Sequence, residues 1–187
     1  ISAGSYVNGY VGVAPKSELL VVKLKESKQY LKDFFLIKDD VPAFEEGDIM
    51  LAMRFLADYA VRLGKPLIII FGLGSANGSR TGAAPLAEMM ESLTKRPNIS
   101  VVTCMGNEAN NKCHYKGTVT SALVPDVMEV NVDGTGKGFT MEIWAESLDI
   151  LSVSIESPSG EFVPRIPARM GASMEYTFLY EGSTVTV

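Results

Sequence analysis

At 187 residues, 47% of them hydrophobic and 21% charged, the chain has the composition of a globular protein able to bury a core, which excludes a disordered reading. Its net charge of −5, with no long basic run, excludes the electrostatic footprint of a nucleic-acid binder or of a polybasic membrane-surface segment. The longest apolar stretch, Pro66 to Phe71, is far too short to span a bilayer, and the amino terminus lacks the layout of a signal peptide.

The chain opens at Ile1-Ser2-Ala3-Gly4-Ser5 with no start methionine and runs straight into Gly9 to Pro15, so it reads as beginning in mid-domain. Leu19 to Leu24 is a short apolar run suited to a buried parallel strand, and Lys28 to Asp40, charged and aromatic, reads as a surface excursion. From Phe44 to Leu63, apolar residues at Ile49, Met53, Leu56, Ala60 and Leu63 keep the spacing of a helix with one buried face, stopped by Gly64. Leu67 to Phe71 is expected as a fully buried strand, Pro85 to Leu93 as a second helix and Ile99 to Cys104 as a third strand. Strands alternating with helices imply a parallel sheet.

Beyond Tyr115 the periodicity changes to two. Val127 to Val132, Phe139 to Trp144 and Leu151 to Glu156 alternate as half-buried antiparallel strands do, with turns expected at Asp133 to Gly136 and Ser157 to Gly160. Residues 116–187 are therefore expected to form part of a β-sandwich or jelly roll after an α/β portion over residues 1–115. The last residues, Ser183 to Val187, have strand character and no stop signal, so the sequence also reads as ending in mid-domain.

Two stretches carry candidate chemistry. Val101 to Asn110 is a strand that ends in Gly106-Asn107, at the carboxyl edge where open parallel sheets bind ligands. A side-chain amide held there can donate to a developing oxyanion, which makes Asn107 a catalytic candidate; the alternative is an ordinary turn asparagine. Phe71 to Ser79 places Gly72, Leu73, Gly74 and Ser75 directly after another strand. This segment suits either a phosphate cradle or an extended backbone that pairs with a peptide. The Gly-x-Gly-x-x-x-Gly spacing misses the dinucleotide fingerprint, and no Gly-Lys-Ser/Thr follows, which disfavours nucleotide.

Other residues weigh less. Met105 fits either a pocket wall or core filling. Cys104 and Cys113 are too few for a disulfide framework and are expected as reduced thiols, and the lone His114 beside Cys113 lacks the further ligands a zinc site needs, so no metal site is expected. Asp39-Asp40 and Glu45-Glu46 suit either a cation or the dipole of the following helix. Tyr6 and Asn8 are candidates for facing a substrate.

Taken in order, Gly12-Val13-Ala14-Pro15, Leu20-Val21-Val22-Lys23-Leu24, Ile70-Phe71-Gly72-Leu73-Gly74 and Val102-Thr103-Cys104-Met105-Gly106-Asn107-Glu108 resemble the ordered landmarks of the subtilases, the subtilisin-like serine proteases. Within them, the segments Lys23-Leu24-Lys25 to Phe34-Phe35-Leu36, Asp48-Ile49-Met50 and Asn107 to His114-Tyr115 are most similar to the clostridial spore-germination proteases of the Csp type. The resemblance implies a subtilisin-like α/β core followed by a jelly-roll insertion. It also implies that Gly72, Leu73, Gly74, Ser75, Met105 and Gly106 border the substrate and that Asn107 supplies the oxyanion donor. The implied partner is a protein or peptide substrate, in the Csp case a cortex-lytic enzyme precursor, and the implied location is extracellular or spore-associated in a bacterium. No organic cofactor is required, and a structural calcium ion is compatible with the family.

The departures are as informative. The segments that carry the family's catalytic Asp, His and Ser do not occur in these residues. By family order the first two would precede Ile1 and the Ser would follow Val187, and His114 falls too late to be the base. The expectation is therefore an internal piece of a subtilase that is inactive alone. Its rivals are a pseudoprotease that keeps the fold for binding or signalling and, ranked last, a nucleotide-binding α/β protein. Incomplete sheets would also leave edges and apolar surface prone to self-association.

Overall fold

The computed structural model describes residues 11–108, 110–132, 138–146 and 148–187. The chain divides into two compact units, Ile1–Glu142 and Ile143–Val187.

The first unit is built from helices α1 (Gln29–Phe34), α2 (Glu46–Leu63) and α3 (Pro85–Thr94) and strands β1 (Leu67–Phe71) and β2 (Ile99–Thr103). In α2 most of the predicted face holds, with Ile49, Met53, Ala57 and Ala60 buried and Leu56 partly so, but Leu63, expected on that face, is exposed in the last turn. The helix stops at Gly64, whose φ of 64° lets its own N–H reach Val61 O at 3.1 Å and the Lys65 N–H reach Ala60 O at 3.2 Å, satisfying two carbonyls of the last turn. Helix α3 begins with Pro85, whose missing N–H costs nothing at a helix start. Its next N–H, that of Leu86, is accepted by Glu46 Oε1 from the first turn of α2 at 2.8 Å. Glu46 thus serves helix starts, and among the described residues no group of acidic side chains is arranged to hold a metal ion.

Strands β1 and β2 pair in parallel from Leu67 opposite Ile99 to Phe71 opposite Thr103. Ile69 and Ile99 are buried with Met53, Ala57 and Leu93 against α2 and α3. The expectation of fully buried strands is corrected here. Ile68 and Ile70 stay 65% and 61% exposed and Val102 52%, because the helices cover only one face of this pair.

Two further expectations for this unit change. Leu19 to Leu24 does not form a strand: no neighbouring strand accepts its backbone among the described residues, and Leu24 alone of the run packs on the core. The surface excursion contains α1, whose Lys32 is buried and forms an ion pair with Glu26 Oε1 at 2.5 Å. A charge removed from water needs such a partner, which fixes the helix where apolar periodicity gives no signal.

In the second unit, β3 (Ser152–Glu156) pairs antiparallel with β4 (Phe162–Pro167), and β5 (Glu175–Phe178) pairs antiparallel with β6 (Ser183–Thr186), in two separate two-stranded sheets. The turn predicted at Ser157 to Gly160 connects β3 and β4. It is closed by Gly160 N–H to Ser157 O at 3.0 Å, with Gly160 in the left-handed region at φ 88°. Val163 and Phe178 are the buried apolar side chains of this unit, and Tyr176 meets Phe178 edge-on at 5.3 Å.

Val127 to Val132 and Phe139 to Trp144 were expected as strands and are not. Val127, Val130 and Trp144 are exposed, so the alternation of these segments is not used to bury a face. The chain is thus a mixed α/β fold, with one small parallel and two small antiparallel sheets among the described residues. The turn expected at Asp133 to Gly136, and Tyr6 and Asn8, lie outside the described residues.

Candidate functional site

Parallel pairing determines which candidates meet. Since Phe71 is opposite Thr103, the two segments that follow, Gly72 to Ser75 and Cys104 to Asn107, leave the same edge of the sheet from adjacent strands. Both groups of residues singled out from the sequence therefore stand at one carboxyl edge, although 28 residues lie between Ser75 and Cys104, where the other segment begins.

Gly72, Leu73, Gly74 and Ser75 are all exposed. Neither Gly72 nor Gly74 has a positive φ, and a Cβ at either would meet nothing within 4 Å. Nothing among the described residues therefore demands glycine at these two positions. A backbone bare of side chains leaves its N–H and C=O open to a ligand's backbone. Beyond them Ser75 Oγ accepts the Asn77 N–H at 3.1 Å, a turn that hydroxyl residues favour, and Arg80 Nη2 donates to Ala76 O at 2.8 Å. The Gly78 N–H donates to Glu142 Oε2 at 2.6 Å.

On the second segment Met105 is fully exposed, so it fills no core within this chain. Gly106 takes a φ of 79°, a conformation that side-chain-bearing residues rarely adopt, and so turns the chain immediately before Asn107. Asn107 sits exposed at a bend, and its side chain makes no hydrogen bond among the described residues. The amide can thus donate outward, as an oxyanion donor must. Glu108 O then accepts the Asn111 N–H at 2.9 Å.

Cys104 and Cys113 are exposed and not joined by a disulfide, and Cys113 Sγ lies 3.5 Å from Asn111 O. His114 is exposed. Tyr115 Oη donates to Asp126 at 3.0 Å, and that hydrogen bond, followed by burial and the carboxylate's charge, holds the phenol above its ordinary pKa. Sequence reasoning missed Glu142 as the acceptor of the Gly78 N–H, and weighed Glu46 only for a cation or its own helix's dipole, not as the acceptor of the Leu86 N–H. Each accepts a backbone N–H far away in sequence, and no local spacing announces such a partner.

No protein-family model and no curated protein matches the sequence. A solved structure does: that of the Clostridium perfringens CspB protease, with a TM-score of 0.66 and 24% sequence identity over 93% of this chain. The match covers 34% of the CspB chain, so this chain spans about a third of its length. At this level of identity the likeness shows the fold: the mixed α/β arrangement of this chain is that found in the matched third of the CspB protease.

Proposed function

We propose that the chain is the central part of a subtilisin-like serine endopeptidase of the Csp type. In this reading, residues 1–115 belong to the catalytic domain and residues 116–187 to a β insertion that completes a jelly roll in the longer polypeptide. The observation that carries the reading is the in-register ending of β1 and β2, which gives Gly72 to Ser75 and Asn107 a common edge. Gly72, Leu73, Gly74 and Ser75 receive an extended substrate by backbone pairing, Met105 and Gly106 border the bound residue, and Asn107 donates its amide to the tetrahedral oxyanion. The exposed amide, the left-handed Gly106 before it and the side-chain-free glycines support those roles.

The catalytic Ser, His and Asp come from the remainder of the polypeptide, and the chain alone is inactive. A serine hydroxyl would attack the scissile carbonyl while His takes its proton and Asp orients the His; the negative charge that gathers on the carbonyl oxygen is where Asn107 acts. The substrate class is a protein, in the Csp reading a cortex-lytic enzyme precursor, and the setting extracellular or spore-associated.

The test is peptidase activity of the full-length protein on casein and chromogenic peptides, beside Asn107→Ala and this chain alone. The expected result is activity in the full-length protein, a fall of about 10²–10³ in kcat for the variant, and none in the isolated chain. A correctly folded but inactive full-length protein would replace the endopeptidase with a binding protein on the same fold.

A further inference from the structure

We infer that Glu142 is a positioning residue for the substrate-binding segment, acting through its hydrogen bond to the Gly78 N–H; this rests on the protease reading of the Gly72 to Ser75 edge. The segment from Gly72 to Ala84 holds glycines at 72, 74, 78 and 82. Glycine has more backbone freedom to lose than any other residue, so ordering such a loop around a peptide is costly unless it is ordered beforehand. The loop's own contacts are local: Ser75 Oγ with the Asn77 N–H, Arg80 with Ala76 O, and Ser79 Oγ with Thr81 Oγ1 at 2.6 Å.

The Glu142 bond differs in kind. It joins the loop to a segment 64 residues away, at 2.6 Å, with an ionisable carboxylate as acceptor. It also falls on Gly78, where φ is 90° and the chain turns, with Ala84 Cβ 3.9 Å from where a Cβ would be. Anchoring the turn fixes the distal end of the stretch that begins at Gly72. The peptide-pairing edge is thereby pre-formed, and a substrate meets less ordering cost on binding. Glu142 touches neither substrate nor reacting atoms, so its effect belongs in affinity rather than in the chemical step.

The experiment compares Glu142→Ala and Glu142→Gln with wild type in the full-length protein, using a succinylated tetrapeptide p-nitroanilide as substrate and hydrogen exchange over residues 72–84. The expected result for Glu142→Ala is faster exchange in that loop and a KM raised roughly three- to tenfold at unchanged kcat, with Glu142→Gln between it and wild type because one acceptor oxygen remains. Unchanged loop exchange, an unchanged KM, or a loss confined to kcat would overturn the role. Should wild type lack peptidase activity, the protease reading fails on its own. The positioning role is then judged by the same loop exchange and by the Kd of the tetrapeptide amide, which must rise in Glu142→Ala for the role to stand. Glu142→Gln, nearly isosteric, keeps the comparison available if the alanine variant does not fold.

Discussion

Glu161 and Glu181 hold each other's turns. Glu161, immediately before β4, accepts the Leu179 N–H on one carboxylate oxygen and the Tyr180 N–H on the other, both at 3.1 Å, in the turn that contains Glu181. Glu181 in return accepts the Ser159 N–H at 3.0 Å, in the turn that Glu161 closes. Two small sheets with no shared ladder are thereby fastened at their turns by charge-assisted hydrogen bonds.

This clasp gives a pH-dependence with a defined sign. The Ser159 hydroxyl chiefly holds Glu181 below the ordinary carboxylate pKa; burial, the next-largest influence, opposes it, and the Ser159 N–H and the Ser157 hydroxyl add to the lowering. A depressed folded pKa means that the unfolded chain binds the proton first. The stabilisation is therefore present above the ordinary glutamate value and lost as pH falls through the depressed one. Acid unfolding followed by circular dichroism should show Glu181→Gln with a shallower loss of stability below about pH 4.3 than wild type. Glu161→Ala, which strips two N–H groups of their acceptor, should lower stability by about 1 kcal/mol at neutral pH.

Tyr115 has the opposite sign. The bond to Asp126 favours the protonated phenol, so its contribution is complete below the ordinary tyrosine pKa and disappears as pH rises through the raised folded value. In a spectrophotometric titration, one of the seven tyrosines should ionise later than the ordinary group, and Asp126→Asn should bring it back. An identical titration curve for the variant would refute the assignment.

Gly64 tests the end of α2. A Cβ there would meet nothing within 4 Å, so any cost of Gly64→Ala comes from its φ of 64° alone. The left-handed conformation should cost about 1 kcal/mol in a denaturant midpoint, without change in the dependence on denaturant concentration.

Glu46 tests the link between helix starts. Removing its carboxylate leaves the Leu86 N–H of α3 without that acceptor, while Pro85 needs none. Glu46→Ala should destabilise by roughly 0.5–2 kcal/mol, and a hydrogen-exchange experiment should find the loss concentrated in the first turn of α3. A uniform loss across the chain would count against it.

Met53 and Ile49 announce α2 in the sequence because a helix repeats every 3.6 residues and only one face can be buried. Pro66 likewise opens the apolar run that becomes β1, and a second apolar run announces β2. Gly72 to Ser75 and Gly106-Asn107 were legible as strand-end segments for the same reason. That they share an edge was not: periodicity within a strand says nothing of its neighbour, and only the register of Phe71 against Thr103 brings them together. Tertiary structure also decided that Ile68 and Ile70 stay exposed, that Leu19 to Leu24 and Val127 to Val132 form no ladder, and that Glu142 reaches Gly78. The physical reason is common to all of these. Burial, strand pairing and hydrogen bonding to a distant N–H require a partner that folding supplies, whereas helix periodicity, a left-handed glycine stop and a proline start are properties of the local chain.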